Sequence, residues 1–309
     1  MPHTLMTTHA HPDDETIGTG GLMARAVQDG HRVVLVTGTR GEMGEIVVPD
    51  MDTPENHRRL GEIRAGELER AMAHLGVTEW ENLGYRDSDM MGRAANRDPR
   101  NFWNANLDEA AGRLVWLMRQ YRPDVVTTYN EIGGYGHPDH IRTHDVAVRA
   151  YARAGDPAWY PEQLAPEHGG TGPAAADGGL APWQPKKLYE QAIPASVRQA
   201  MAERMAAIGE SSPWNEPKDA SPEELEAWRA QMARMLVPDE SITTWIDVSD
   251  VVDRKWAAIR EHVTQMSPDN FLLRFGLDGW REFWSREAYI RVDSKVQAST
   301  PETDVFAGL

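Results

Sequence analysis

The sequence predicts an α/β protein: a Rossmann-like, mostly parallel sheet with helices on both faces, plus a smaller C-terminal α/β part. Three observations carry this. The runs Arg32-Val-Val-Leu-Val-Thr37 and Asp124-Val-Val-Thr-Thr-Tyr129 are short, apolar and β-branched, as in strands covered on both faces. Longer amphipathic helical stretches stand between such runs, the pattern of βαβ units. With 309 residues, 40% hydrophobic and 26% charged, the chain can bury a sizeable core.

Taken in order, His3 to Thr8 reads as a first strand. A Gly-rich bend at Gly18-Thr-Gly-Gly21 is expected to lead into a helix from Leu22 to Gln28. Arg32 to Thr37 is the second strand. A single long helix from Asn56 to Leu75 is expected next, closed by Gly76 as C-cap. Glu79 to Leu83 reads as a strand, Leu107 to Gln120 as an amphipathic helix, Asp124 to Tyr129 as a buried strand and His137 to Ala154 as a helix. These place a catalytic domain at 1–155. The Gly-, Pro- and Ala-rich stretch 156–185 has no period and reads as a loop or insertion. The remainder, 186–309, is expected to pack against the first domain and shape a substrate cleft. Within it Lys187 to Ile193 reads as a strand, 211–219 as a second break, and Ser221-Pro-Glu-Glu224 as a helix start. Beyond Val292 the chain turns polar and is expected to fray.

There is no cysteine, so disulfides and thiolate sites are excluded and any metal must be held by nitrogen and oxygen. A formal charge of −16 argues against binding phosphate backbones or anionic membranes. The N-terminus lacks the pattern of a signal peptide, and no stretch approaches the ~20 apolar residues of a membrane span. The expectation is a cytoplasmic protein acting on a small molecule, without nucleic-acid or membrane partners; homo-oligomerisation is compatible with the sequence.

The chemistry sits in two clusters. His9-Ala-His-Pro-Asp-Asp-Glu15 follows the first strand, and Tyr135-Gly-His-Pro-Asp-His140 follows the strand ending at Tyr129. Ligands of open α/β sheets bind at the C-terminal ends of strands, so the clusters can converge there. His11, Asp14 and His140 then supply two imidazoles and a carboxylate, a three-ligand set with room for water. Such a site activates water and polarises a carbonyl, the two needs of amide hydrolysis. Asp13, beside Asp14 but pointing elsewhere, suits a general base. His137, one turn before His140, suits an acid or oxyanion partner. Asp139 suits a residue that orients one of these histidines. Glu42, after the second strand, lies where substrate can be reached.

These motifs resemble the LmbE-like, or PIG-L, family of zinc-dependent N-deacetylases, in particular the actinobacterial mycothiol-pathway enzymes. The resemblance rests on His11-Pro-Asp-Asp-Glu15, Thr39-Arg-Gly-Glu-Met-Gly44, Arg64 with Glu67, Arg86-Asp-Ser88 and Gly136-His-Pro-Asp-His140, in order over about the first 150 residues. It implies zinc on His11, Asp14 and His140, Asp13 as base and His137 as acid or electrostatic partner. It further implies Tyr135 over the developing oxyanion, and Arg64 and Asp87 on hydroxyls of a glycoside or pseudodisaccharide substrate. The implied reaction is hydrolysis of an N-acetyl amide on a glucosaminyl substrate. Gln265 to Trp284 looks more like the mycothiol S-conjugate amidases, which keeps that amidase reaction as an alternative. The Trp and Met residues of this stretch are expected mainly in core or interface.

Other signals are weaker. Gly18-Thr-Gly-Gly21 lacks the third glycine of a dinucleotide fingerprint, since Met23 stands there. His11 and Asp13 with a distant histidine mimic the triad of non-haem iron oxygenases, usually found on all-β folds. Fe2+ remains compatible with these ligands as a substitute for Zn2+. His144 and His9 are expected to be structural, and His57, His74, His168 and His262 lack sequence neighbours that would support a role.

Overall fold

A computed structural model describes residues 1–165, 180–207, 209, 212 and 215–309. The strands are β1 (Thr4–His9), β2 (Arg32–Thr37), β3 (Glu79–Asn82), β4 (Val125–Thr128), β5 (Lys187–Pro194), β6 (Leu236–Val237), β7 (Thr244–Asp247) and β8 (Arg286–Ser294). The helices of the first half are α1 (Asp14–Gln28), α2 (Pro54–Arg58), α3 (Leu60–Leu75), α4 (Leu107–Tyr121), the short turn α5 (Gly133–Gly136) and α6 (Pro138–Arg153). Those of the second half are α7 (Ala195–Ala207), α8 (Pro222–Met235), α9 (Val252–Ile259), α10 (Phe271–Arg274) and α11 (Gly276–Phe283). Among the described residues the strands form one sheet in the order β3-β2-β1-β4-β5-β8-β7, with β6 beside β5. The first five pair in parallel, β8 pairs antiparallel with β5 and β7 antiparallel with β8, so the later strands extend the sheet begun by the earlier ones.

Alternation along β1 sends Leu5 to one face and Met6 to the other. Leu5 joins a core with Leu22, Met23, Leu68 and Met72 from α1 and α3. Met6 joins Leu114, Met118, Val146 and Ala150 from α4 and α6. A smaller core gathers Val252, Ile259, Met266, Leu272 and Trp280, which accounts for the Trp- and Met-rich stretch as packing. The chain leaves β1 towards β2 and β3 on one side and returns to β4 on the other. The order therefore reverses between β1 and β4, at their C-terminal ends, where ligands of such sheets bind. No described helix is long and apolar enough to cross a membrane.

Several expectations change. The bend at 18–21 is absent, because α1 runs unbroken from Asp14. Its glycines answer to tertiary contacts: a Cβ on Gly21 would stand 2.7 Å from Glu287 Oε1 and from Val248. Glu287 accepts the N–H groups of Gly21 and Leu22, each at 2.8 Å, and pairs with buried Lys255 at 2.6 Å. The long helix expected over 56–75 is divided at Arg59, which leaves helical geometry at φ −113°, ψ 11°. Thr53, capping the N–H of Asn56, with Pro54 behind it opens the separate short α2. Gly76 caps α3 in the left-handed conformation, and Ser221 and Glu224 form a reciprocal capping box.

The tail does not fray either. Glu302, 1% exposed, accepts from Lys187 Nζ at 2.5 Å and Tyr189 Oη at 2.7 Å, and pairs with Arg291 at 2.9 Å. Val305 is buried and Phe306 stacks on His31. A polar sequence conceals this anchor because its charge is paired inside the protein. The helix start at 221 is observed, whereas His168, residues 166–179 of the 156–185 stretch and part of the 211–219 break lie outside the described residues.

Candidate metal and catalytic site

The two clusters meet where the sheet reverses. His11 and Asp14 straddle the junction of β1 and α1, with Asp14 and Glu15 in the first turn, where the helix dipole favours negative charge. His140 sits in the first turn of α6. One oxygen, Asp14 Oδ2, lies 3.3 Å from His11 Nδ1 and 3.3 Å from His140 Nε2.

Hydrogen-bond partners set the tautomers. His140 Nδ1 faces the Gly133 carbonyl at 3.1 Å and must donate to it, which leaves a lone pair on Nε2. That Nε2 is buried and makes no hydrogen bond to a described residue. Gly133 has φ +64°, and a Cβ there would stand 2.6 Å from both His140 Cβ and the Ile141 nitrogen, so only glycine presents this carbonyl. His11 Nε2 faces Asp139 Oδ2 at 3.2 Å, which directs the Nδ1 lone pair towards Asp14. Two lone pairs and an anionic oxygen at one point repel each other unless a cation sits among them. The donor set therefore fits a divalent cation with borderline-soft nitrogen and oxygen ligands. Without a cation, burial disfavours the His11 imidazolium, but Asp87, Asp139 and Asp14 outweigh burial and raise its pKa well above the usual value. Burial likewise disfavours ionised Asp14, yet His140 and His11 hold its carboxyl well below the usual range.

Asp139 is fully buried and serves His11 from behind. It accepts the Ser88 N–H at 2.9 Å and the Ser88 hydroxyl, and its own N–H is bound by His137 Nδ1 at 3.1 Å. Asp139 and Asp87 also group with His11. Asp87 already accepts the N–H groups of Met43 at 3.1 Å and Asp89 at 2.8 Å, so this grouping reads as a buttress. Ring nitrogens of His11, His137 and His140 lie within 4.8 Å of one another. Because Nδ1 of His137 accepts the cap hydrogen bond of α6, its neutral proton resides on Nε2, which disfavours ligation and leaves a free donor. Burial, with His11 and His140 nearby, lowers the His137 pKa to about 2.

Asp13 adopts φ +116°, a strained conformation for an L residue. Arg64 reaches it from α3: Nη2 lies 3.3 Å from Asp13 Oδ1 and donates to the Pro12 carbonyl at 2.6 Å, while Nη1 donates to the Gly41 carbonyl at 2.9 Å. Burial pushes the Asp13 carboxyl up to about 6 against the pull of Arg64. Arg64, implied as a sugar contact, is 3% exposed and braces the loop beneath Asp13. Asp87 is also buried, and its N–H is accepted by Glu42 Oε2 at 3.2 Å, so Glu42 forms the outer end of that pair. Tyr135 is 43% exposed, its ring 4.9 Å from that of His140. Desolvation of the hydroxyl and the Asp14 and Asp13 carboxylates raise its pKa well above the usual value, so the hydroxyl is a neutral donor.

Three site residues had no signal that singled them out. Tyr129 stacks on His140 at 4.4 Å, and its hydroxyl accepts the Ala10 N–H at 3.0 Å. Glu15 was visible only as the last letter of its motif. His262, fully buried, faces Glu15 at 3.0 Å from 247 residues away, a pairing that local sequence does not encode. His9 faces Thr19 at 2.8 Å and His144 faces Glu190 at 3.2 Å, in keeping with structural roles.

The family model described as "PIG-L: GlcNAc-PI de-N-acetylase" matches residues 6–151. A "1D-myo-inositol 2-acetamido-2-deoxy-alpha-D-glucopyranoside deacetylase" of Geodermatophilus obscurus is 42% identical, over 99% of this chain and 97% of that protein. An N,N'-diacetylchitobiose deacetylase from Pyrococcus horikoshii shares the fold at TM-score 0.61 and 20% identity, covering 94% of this chain and 84% of that one. The 4-carboxy-2-hydroxymuconate hydratase GalB from Pseudomonas putida shares it at TM-score 0.56 and 18% identity, covering 96% and 99%. Fold alone thus spans different chemistries, and the full-length 42% match is what decides the family. The chain belongs to the PIG-L, or LmbE-like, family of N-deacetylases, enzymes that hydrolyse the N-acyl amide of glucosaminyl substrates.

Proposed function

We propose that this enzyme uses zinc to remove the acetyl group from a glucosaminyl-inositol pseudodisaccharide, the substrate class for which its relatives are named. The observation that carries the metal reading is the convergence of His11 Nδ1 and His140 Nε2 on one oxygen of Asp14. A divalent cation held there would lower the pKa of a water molecule and polarise the acetamide carbonyl.

The chain's own groups supply the rest. Asp13 takes the proton of the attacking water; its raised pKa brings it nearer the pH at which a carboxylate is both ionised and basic. Arg64 holds that carboxylate and the loop bearing it. As the carbonyl oxygen gains charge, the Nε2–H of His137 and the hydroxyl of Tyr135 donate to it. The proton carried by Asp13 passes to the departing glucosamine nitrogen, giving acetate and free amine. Asp87 and Glu42, joined by a hydrogen bond after β2 and β3, would accept from sugar hydroxyls.

The test incubates zinc-loaded protein with N-acetylglucosaminyl-inositol and with a mycothiol S-conjugate, scoring free amine. Release from the first alone supports the proposal. Preferential release from the conjugate moves the enzyme to the amidase reaction, and release from neither removes the glucosaminyl assignment. Zinc and ferrous iron are compared by adding each anaerobically to metal-free protein.

A further inference from the structure

We infer that His262, acting through Glu15, positions the general base, so that a residue of the C-terminal part sets the competence of the N-terminal site. This rests on the reading of Asp13 as base. The Asp13 backbone is strained at φ +116° and needs restraint on more than one side. Its carbonyl accepts the first-turn N–H groups of Thr16 at 3.1 Å and Ile17 at 3.3 Å. Its N–H donates to Glu15 Oε2 at 2.8 Å. The other Glu15 oxygen, Oε1, accepts from the Thr16 hydroxyl at 2.7 Å and faces His262 Nε2 at 3.0 Å.

Glu15 and His262 are both fully buried, so the carboxylate depends on the imidazole to hold its charge and its rotamer. His262 is itself fixed by its neighbours. Thr264 donates twice to Glu67 of α3, through N at 2.8 Å and Oγ1 at 2.7 Å, and its carbonyl accepts the Val47 N–H at 2.9 Å. Gln265 Nε2 donates to the Glu45 carbonyl at 3.0 Å. The segment 262–265 thereby joins the start of α1, α3 and the loop after β2, three elements around Asp13. Among the described residues neither His262 nor Glu15 makes a hydrogen bond or ion pair with His11, Asp14 or His140. The clamp thus acts on the base and leaves the metal ligands in place.

The test compares wild type, H262A, H262Q and D13N as zinc-loaded, full-length proteins, with kcat, KM and zinc stoichiometry measured on N-acetylglucosaminyl-inositol. H262A is expected to lose roughly 10- to 100-fold in kcat, as loss of a positioning contact does, with KM and zinc content unchanged. H262Q, whose amide N–H reaches Glu15, is expected to recover most of that loss. Full kcat in H262A, or a fall that tracks loss of zinc, would overturn the inference. D13N separates the two readings. An inactive D13N beside a fully active H262A refutes the clamp alone, whereas an active D13N refutes the base itself. If H262A does not fold, E15Q takes its place. It keeps the size of the side chain but not its charge, and full kcat per bound zinc in E15Q would overturn the inference equally.

Discussion

Replacing Asp139 tests how the ligand geometry is maintained. Its Oδ2 faces His11 Nε2 and accepts the Ser88 N–H, while Oδ1 accepts the Ser88 hydroxyl. In D139N the amide can keep oxygen at the Oδ2 position and turn its NH2 towards Ser88, whose hydroxyl can rotate to accept. The His11 tautomer then survives, and only the charge on its partner is lost. A hydrogen bond to a charged group contributes about 1.5–3 kcal/mol and a neutral one about 0.5–1.5. The difference of about 1–1.5 kcal/mol corresponds to roughly tenfold weaker zinc binding. D139A removes the orientation altogether, and a loss approaching 100-fold is expected. The assay is competition for zinc between metal-free protein and a chromophoric chelator, with urea unfolding as a check that each variant is folded. Unchanged affinity in D139A, or D139N binding as weakly as D139A, would refute the reasoning.

Other consequences concern stability. E302A leaves Lys187 buried without its carboxylate, and a loss of about 3–5 kcal/mol is expected in urea unfolding; a loss under 1 kcal/mol would mean the tail is not an anchor. Burial opposes the charge on His144, but Glu190 and Asp145 prevail and raise its pKa above 6.5. A raised histidine pKa contributes stability that is full below the unfolded value and fades as pH rises through the folded one. Unfolding of wild type and H144Q should therefore differ most below pH 6.5 and converge as the pH climbs; a gap independent of pH would assign His144 to packing.

The framework was legible because its signals are local. Strand runs such as Arg32 to Thr37 announce burial on both faces, and two His-Pro-Asp clusters after adjacent strands announce a shared site. What stayed hidden depends on partners far away in the chain. Gly18, Gly20 and Gly21 look like a bend because the groups that crowd α1, Glu287 and Val248 among them, come from the far end of the sequence. Glu302 looks like tail because Lys187 cannot be seen beside it. His262 has no local companion, although in the fold it holds Glu15. Arg64 stands out by its motif, yet only the structure shows its guanidinium under Asp13 and bound to two carbonyls.

The central claim is that one set of residues holds a metal while a neighbour performs the proton transfer. Zinc content and turnover measured together on D13N and H140A test it most directly. D13N is expected to bind one zinc per chain with wild-type stoichiometry while losing about 10²- to 10⁴-fold in kcat, and H140A to lose zinc and turnover together. A D13N enzyme that keeps its turnover, or an H140A enzyme that keeps its zinc, would contradict the account.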